Sequence, residues 1–316
     1  MHNPASRRDP RSHPRWRPSL LTNVIVVLAL GGLTAGLYPM SASWLSSYNQ
    51  SHVLTQAETG RARMSPPAPE QLRLAHEYNE ALIAGVRLDP WANVPVGSGN
   101  PSDTLLRYDD LLTSGPHGLM SRIRIPSIGV DLPIYHGTAT DTLLRGAGHL
   151  EGSHLPVGGT GTRSVITAHR GLANATMFSQ LNGVRIGDTF TLEVLGDALV
   201  YRVTEMVTIE PEDSGSLRAE AGKDLVTLIT CTPLGINSHR ILVTGERVIP
   251  TPAHNIAELG DHPQVPGVPW WIFLASTGLI TITAYLIRRG YIDDRNRQSR
   301  RDYAGDTHQF AEADAT

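Results

Sequence analysis

The sequence predicts a mainly β domain of many short strands with a few short helices, carried between two membrane-spanning helices. From Ile123 to Ile249, short runs rich in Val, Ile and Thr alternate with Gly, Pro, Asp and Asn, as strands alternate with turns. A succession of short strands with turn signals favours a sandwich or a barrel. Two uncharged stretches flank this region, and each has the roughly 20 residues that a helix needs to cross a bilayer.

The first membrane-spanning segment is predicted at residues 20–40, which carry no charge. Residues 1–19 include the arginines Arg7, Arg8, Arg11, Arg15 and Arg17. The positive-inside rule therefore assigns them to a cytoplasmic tail. A cleaved signal peptide is the alternative, but the apolar run exceeds the signal-peptide core of about 7–15 residues. We expect an uncleaved anchor.

The second membrane-spanning segment is predicted at residues 268–287, which are also uncharged. The residues that follow include the arginines Arg288, Arg289, Arg295, Arg297, Arg300 and Arg301. The same rule makes residues 288–316 a cytoplasmic tail. The two independent assignments agree, so the sequence predicts a two-pass protein of the cell membrane. Its residues between about 45 and 265 then lie outside the cytoplasm.

Two sections are predicted between the anchors. Residues 45–120 are expected to be helical and irregular, because PPAPEQLRLAHEYNEALIAG begins with prolines suited to a first helical turn. A linker, ANVPVGSGNPSD, follows it. Residues 121–250 form the predicted β domain, with helical candidates at TDTLLRGAG, ATMFSQLNG and EDSGSLRAEAG.

The composition narrows the function classes. The chain has 316 residues and a formal net charge of −3, which argues against a general nucleic-acid binder because such proteins normally show a basic face. Cys231 is the only cysteine, whereas exported domains normally use cysteines in pairs. A lone cysteine is either a small buried hydrophobe or a reactive thiol. The sequence has no Cys/His cluster with zinc spacing.

The surroundings of Cys231 favour the reactive thiol. The predicted strand DLVTLITC ends at Cys231, and the next predicted strand opens with His239 and Arg240. If these strands pair antiparallel, Arg240 approaches Cys231 across the ladder. A nearby cation lowers the pKa of a thiol, and a guanidinium is also suited to holding the oxyanion formed on attack at a carbonyl.

A cysteine acyltransferase also needs a proton carrier, usually histidine. Of the 13 histidines, His169 has the most suitable setting, because it closes the predicted strand SVITAHR at a rim. His136, in YHG, and His149, in GHL, are the alternatives. A histidine chosen from one sequence is more often structural than catalytic, so all three remain open on the pattern alone.

Two long segments resemble the sortase family. TLITCTPLGINSHRILVTGER is similar to the active-site signature of sortases, and HGTATDTLLRGAGHLEGSHLPVGGTGTRSVITAHRG is similar to their histidine region. The similarity extends over about residues 86–250 and implies a closed eight-stranded β-barrel. It also implies that Cys231 is the nucleophile, His169 the general acid/base and Arg240 the cation for oxyanion and substrate. In this family the Cys and His are thought to react as a thiolate–imidazolium pair.

Three features are similar to the pilin-polymerising class C of that family. The first is the motif CTPxGxNxHR, in which Leu234 stands where many members have an aromatic residue. The second is the C-terminal membrane helix. The third is a lid-like tripeptide, Asp89-Pro90-Trp91.

The lid is expected at residues 87–91, upstream of the barrel and beside the Gly- and Pro-rich linker. In such a lid Asp89 would pair with Arg240, while Trp91 would cover the thiol. A lone DPW tripeptide is otherwise an ordinary turn with a packed Trp.

The resemblance implies a cysteine transpeptidase that cleaves an LPXTG-like sorting signal at Thr–Gly through a thioester. The acceptor would be a lysine amine of a pilin subunit, in pilus assembly at the surface of a Gram-positive cell. The implied partners are pilin subunits and the membrane, with no nucleic acid, metal or organic cofactor. The alternatives are an anchoring sortase that uses a peptidoglycan-precursor amine, a cysteine L,D-transpeptidase, and a non-catalytic membrane-tethered β-domain in which Cys231 is buried.

Overall fold

The computed structural model of the protein describes residues 16–82, 106–211, 213, 215–261, 263 and 267–313. They belong to two compact units, one formed by Met1–Ser41 with Val268–Thr316 and the other by Ala42–Gly267. The second unit contains the β domain and the candidate site.

Four α-helices and eight strands are described between residues 20 and 257. In chain order they are α1 (Leu20–Gly60), α2 (Ala68–Ala81), β1 (Leu119–Ile125), β2 (Val130–His136), α3 (Thr140–Arg145), β3 (Ala147–His149), β4 (Thr162–Thr167), β5 (Thr189–Val194), β6 (Asp197–Ile209), β7 (Asp224–Thr232), β8 (His239–Arg247) and α4 (Ala253–Ala257).

The eight strands close into a barrel in the order β1-β2-β3-β4-β7-β8-β6-β5. The pairs β2–β3 and β4–β7 are parallel, and the other pairs are antiparallel. Closure leaves no unpaired sheet edge. The closed eight-stranded barrel predicted from the sequence is confirmed.

Both sides of the barrel wall carry buried apolar residues where β4, β7 and β8 meet. Val226 and Leu228 of β7 belong to the main core, whereas Ile229 belongs to a smaller cluster. Successive side chains of a strand point to opposite faces, so this smaller cluster covers the outer face of the wall. We call it the outer cluster; its members are Leu150, Val165, Ile209, Leu217, Ile229 and Leu242.

The interior is packed around stacked aromatic rings. Phe190 and Tyr201 stack with their ring centroids 5.5 Å apart, and both side chains are fully buried. A Cβ at Gly245 would lie 2.5 Å from Phe190 Cε1, so this position of β8 has room only for glycine. Truncating a buried Phe to Ala typically costs about 3–5 kcal/mol.

The helical section upstream of the barrel packs against it through α2. Tyr78 is fully buried, and the Asn79 side chain makes two hydrogen bonds to the backbone of Leu155. Its Oδ1 accepts from the Leu155 amide at 2.7 Å, and its Nδ2 donates to the Leu155 carbonyl at 3.1 Å. The paired contacts fix this helix on the loop between β3 and β4.

The three predicted short helices differ in outcome. The first, TDTLLRGAG, contains α3, whereas the other two contain single 3-10 turns at Leu181–Gly183 and Gly215–Leu217. Their sequences are rich in Ser, Asn and Gly. Ser and Asn side chains compete for backbone hydrogen bonds, and Gly raises the entropy cost of a helix. Short segments of this composition therefore stop after one turn.

Among the described residues, two helices are long and apolar enough to span a membrane, α1 and a C-terminal helix, α5 (Trp271–Ala313). Only 11% and 0% of their apolar windows are buried, unlike a helix in a soluble core. Within their unit, the Ser19 amide and the Thr22 hydroxyl each donate to Asp293 Oδ2 at 2.8 Å.

Both helices continue beyond the predicted membrane segments 20–40 and 268–287. An apolar run delimits the part that can lie in lipid, not the end of a helix. The residues of each helix that follow the apolar run include Ala, Gln and Glu, which are good helix formers.

Candidate active site

Cys231 lies near the end of β7, directly opposite Arg240 on β8. The antiparallel pairing predicted from the sequence is therefore present, and directly opposed Cβ atoms in such a ladder are about 4.5–5.5 Å apart. Arg240 is buried, and its Nη1 donates to the carbonyls of Asn237 at 2.8 Å and His239 at 3.1 Å. The turn between the two strands thus orients the guanidinium beside the thiol.

The thiol and the guanidinium lie on the outer face of the wall. Cys231 is two residues beyond Ile229, and Arg240 is two residues before Leu242, so each shares a face with a member of the outer cluster. Cys231 is 8% exposed. Its position at the end of a strand on the outer face differs from that of a cysteine packed inside the barrel.

β4, which leads to His169, runs parallel to β7 and ends near this pair. The ladder ends where Thr167 faces Ile229, and His169 and Cys231 each stand two residues further along. The Ala168 amide donates to the Ile229 carbonyl at 3.2 Å, which extends the alignment by one residue. β4 has ended by then, so the pairing brings His169 to the same end of the wall as Cys231.

The His169 ring is half-buried, and its surroundings differ from those of a structural histidine. Within the described part of the chain no hydrogen bond holds this ring. The loop after it is ordered through the backbone, because the Phe178 amide donates to the His169 carbonyl at 3.0 Å. The ring is thus placed by its main chain and left able to exchange a proton.

Burial sets the protonation of the resting site. It raises the pKa of the Cys231 thiol, and the positive charge of Arg240 opposes that rise without cancelling it. Burial also lowers the pKa of His169. Both shifts favour the neutral forms, so the resting pair at neutral pH is mainly a thiol and an imidazole. The thiolate–imidazolium pair is then a minor species.

These three groups suffice for acyl transfer. A thiolate attacks carbonyl carbon, a histidine accepts and returns the proton, and a buried guanidinium stabilises the oxyanion. The thiol and the guanidinium come from the neighbouring strands β7 and β8, and the imidazole from the residue two beyond the end of β4. In the described residues, no group of three or more His, Cys, Asp or Glu side chains is placed to hold a metal ion.

The alternative histidines, His136 on β2 and His149 on β3, are both held by hydrogen-bonding partners. His149 is fully buried, with Nδ1 2.9 Å from the Tyr108 hydroxyl and Nε2 2.8 Å from the His154 carbonyl. Burial lowers the pKa of His149 to about 3. His136 has its two ring nitrogens 2.8 and 2.7 Å from backbone carbonyls. Both rings therefore serve the packing of this region.

The predicted lid, Asp89, Pro90 and Trp91 at residues 87–91, lies outside the described residues. Its contact with Arg240 and its cover over the thiol stay predictions.

The sequence reasoning missed two residues beside the site, Arg170 and Thr232. Each directly follows one of the candidate catalytic residues, and Arg170 Nη1 donates to Thr232 Oγ1 at 2.8 Å. Nearby, Gly171 has φ +77°, and a Cβ there would collide with Leu234. The one signal for Arg170 was its place directly after His169 at a strand end.

Comparisons with known proteins agree with this geometry. A family model described as a sortase domain matches residues 123–248. Sortase A of Bacillus anthracis is 30% identical over 130 residues, which are 41% of this chain and 60% of that protein. The matched segment is thus less than two thirds of that relative's length.

Solved structures match a larger part of their own chains. Sortase C-1 from Actinomyces oris is 47% identical with a TM-score of 0.52, covering 57% of this chain and 97% of the other. Sortase C of Streptococcus pneumoniae, a structure reported with insights into pilin substrate specificity, is 40% identical with a TM-score of 0.54. That match covers 62% of this chain and 96% of the other.

Proposed function

The chain belongs to the sortase family, whose members are cysteine transpeptidases, and from this premise we propose that it cleaves an LPXTG-like sorting signal. The observation that supports the proposal most is the placement of Cys231 opposite Arg240, with His169 two residues beyond the end of β4, which pairs in parallel with β7. The thiol, the proton carrier and the oxyanion cation of an acyl transfer are then together.

The first half-reaction forms a thioester. The Cys231 proton passes to His169, and the sulfur attacks the carbonyl carbon of the Thr–Gly bond. The oxyanion that develops lies against the buried guanidinium of Arg240, which costs little reorganisation because loop carbonyls already orient it. The C–N bond breaks as His169 returns the proton to the glycine amine, leaving the acyl group on Cys231.

The second half-reaction transfers the acyl group to an amine. The amine attacks the thioester carbonyl and loses a proton to His169, and the Cys231 thiolate leaves. The proposed acceptor is a lysine of a pilin subunit. Its support is the likeness to sortase C structures at 47% and 40% identity together with the class C motif CTPxGxNxHR at residues 231–240.

The proposed location is the cell membrane of a Gram-positive bacterium, with both termini in the cytoplasm and the barrel outside. Two helices able to span a membrane and the arginines beyond each support this topology. Substrates that are themselves held at the membrane would then meet the barrel at a raised effective concentration. This favours the slow attack of an amine over hydrolysis by water.

The acceptor is tested by competition. The full-length protein in detergent receives a sorting-signal donor together with two acceptors, a pilin domain and a peptidoglycan-stem peptide. We expect cross-linked protein ladders in which mass spectrometry maps an isopeptide bond to a pilin lysine. Exclusive transfer to the stem peptide would contradict the pilin acceptor and indicate an anchoring sortase.

A further inference from the structure

The backbone ladder between β4 and β7 ends before it reaches the proposed catalytic pair. Its last paired residues are Thr167 and Ile229, and one further amide bond joins Ala168 to Ile229. Beyond this point His169 leaves the sheet for a loop, while β7 continues along β8 only. Backbone pairing therefore does not fix the separation of His169 from Cys231.

Side chains continue the connection past the end of the ladder. The Thr230 hydroxyl donates to the Ala168 carbonyl at 2.9 Å. One step further, Arg170 Nη1 donates to Thr232 Oγ1 at 2.8 Å. Arg170 follows His169 directly, and Thr232 follows Cys231 directly. The Arg170–Thr232 bond is thus a tie between the two strand ends immediately outside the catalytic pair.

The same guanidinium also holds the loop that follows His169. Its Nη2 donates to Asn182 Oδ1 at 3.0 Å, and its Nε donates to the Ser179 carbonyl at 3.4 Å. The Ser179 hydroxyl in turn accepts from the Gly171 amide at 3.0 Å. One planar group therefore bonds to the end of β7 and to two points of the loop. A planar five-donor fork suits this task better than an ammonium.

We infer that Arg170 is a positioning residue that fixes the distance between the His169 imidazole and the Cys231 thiol. The inference rests on the proposed function and adds to it a residue that acts through His169 without contacting substrate. Without the tie, the loop after β4 is free to move His169 relative to the sulfur. A misplacement of about 1 Å can lower a catalytic rate about 100-fold.

The test uses full-length protein in detergent and measures two things. The first is the rate of thioester formation on Cys231 with an LPXTG peptide, resolved into kcat and KM. The second is the pH dependence of iodoacetamide alkylation of Cys231, which needs no substrate. The variants are Arg170→Ala, Arg170→Lys, Thr232→Val, Thr232→Ser and the Ala/Val double variant. Arg185→Ala, at an exposed arginine just beyond the same loop, is the matched control.

We expect Arg170→Ala to lower kcat at least about tenfold with a smaller change in KM, because the arginine places the imidazole and leaves the substrate contacts in place. Thr232→Val should have a kcat below that of wild type, and Thr232→Ser, which keeps the hydroxyl, should keep the wild-type kcat. The double variant should be no slower than Arg170→Ala, because both changes remove one interaction. Arg170→Lys should be intermediate, and the control should match wild type.

The alkylation profile separates positioning from general folding. If Arg170 holds the imidazole near the thiol, the Arg170→Ala profile should move onto that of His169→Gln, while the control profile stays on the wild-type curve. An unshifted Arg170→Ala profile, an unchanged kcat, or additive losses in the double variant would overturn the inference. If Arg170→Ala does not fold, the contrast between Thr232→Val and Thr232→Ser decides, and equal rates in those two would overturn it. A wild-type protein that alkylates normally yet forms no thioester would contradict the proposed function alone.

Discussion

Two histidines at strand ends have opposite surroundings, and the contrast separates a structural ring from a proposed catalytic one. His149 ends β3, is fully buried, and has both ring nitrogens near hydrogen-bonding partners. His169 follows β4 at the rim, half-buried, and no described residue holds its ring. Burial lowers the pKa of both, to about 3 for His149. A ring whose two nitrogens are both engaged in hydrogen bonds cannot carry a proton between substrate and nucleophile. A ring at the rim whose nitrogens have no such partner can.

The largest expected effect is the loss of transfer in His169→Gln. Loss of a general acid/base typically costs about 10²–10⁴-fold in rate, and the half-buried position predicts little change in melting temperature. Peptide transfer and a thermal melt on the same preparation check this. Wild-type transfer in His169→Gln would contradict the catalytic role of His169.

Arg240→Lys is expected to lower kcat by about 10²–10³-fold, the usual cost of a lost oxyanion donor. An ammonium keeps the charge but cannot reproduce the fork that reaches the loop carbonyls and the substrate together. The measurement is kcat at saturating peptide. A rate equal to wild type would remove Arg240 from the mechanism.

His149→Ala should show the reverse pattern, with lower stability and retained chemistry. The change removes the ring nitrogen that lies 2.8 Å from the His154 carbonyl, and an unsatisfied buried group costs about 1–3 kcal/mol. The Tyr108 hydroxyl keeps its bonds to the His149 carbonyl and the Gly137 amide. Urea unfolding measures the loss. Transfer per folded molecule should stay near wild type at low temperature, and a specific loss of transfer with intact stability would contradict the structural role.

A pH dependence follows from the two opposite shifts at the rim. The thiolate fraction rises with pH through the raised pKa of Cys231, and the imidazolium fraction falls with pH through the lowered pKa of His169. The rate of thioester formation should therefore be bell-shaped, with limbs at these two pKa values. In Arg240→Gln the midpoint of Cys231 alkylation should move to higher pH, because the charge that lowers the thiol pKa is gone. A midpoint that stays in place would contradict the proximity of the guanidinium.

The smallest expected effect concerns the predicted lid. Asp89→Ala and Trp91→Ala should each raise the rate of Cys231 alkylation in proportion to the open fraction they create. Iodoacetamide kinetics at fixed pH measure this. If both variants alkylate at the wild-type rate, residues 87–91 do not cover the site.

The sequence predicted the parts of the site that depend on local order. Alternating apolar residues and one short turn were enough to pair Cys231 with Arg240, because adjacent strands joined by a short loop usually pair antiparallel. The position of His169 at a strand end favoured it over His136 and His149, but the family motif was needed to choose it. The hydrogen bonds of His136 and His149 depend on Tyr108 and on carbonyls from other segments, which no periodicity of the sequence reveals.

Other features needed the fold itself. The parallel pairing of β4 with β7 brings the strand ends that lead to His169 and Cys231 together across about 60 residues of chain, and no local pattern specifies such a pairing. The Arg170–Thr232 bond depends on that same pairing. The full lengths of α1 and α5 were also beyond prediction, because polar helix formers extend a helix without any apolar signal.

The most direct test of the central claim is mass spectrometry of the protein after incubation with an LPXTG-type peptide. The account predicts an acyl adduct on Cys231 with the mass of the peptide through its threonine, cleaved by hydroxylamine and absent in a folded Cys231→Ala variant. An adduct on another residue, or none on a wild-type thiol that iodoacetamide alkylates, would contradict it.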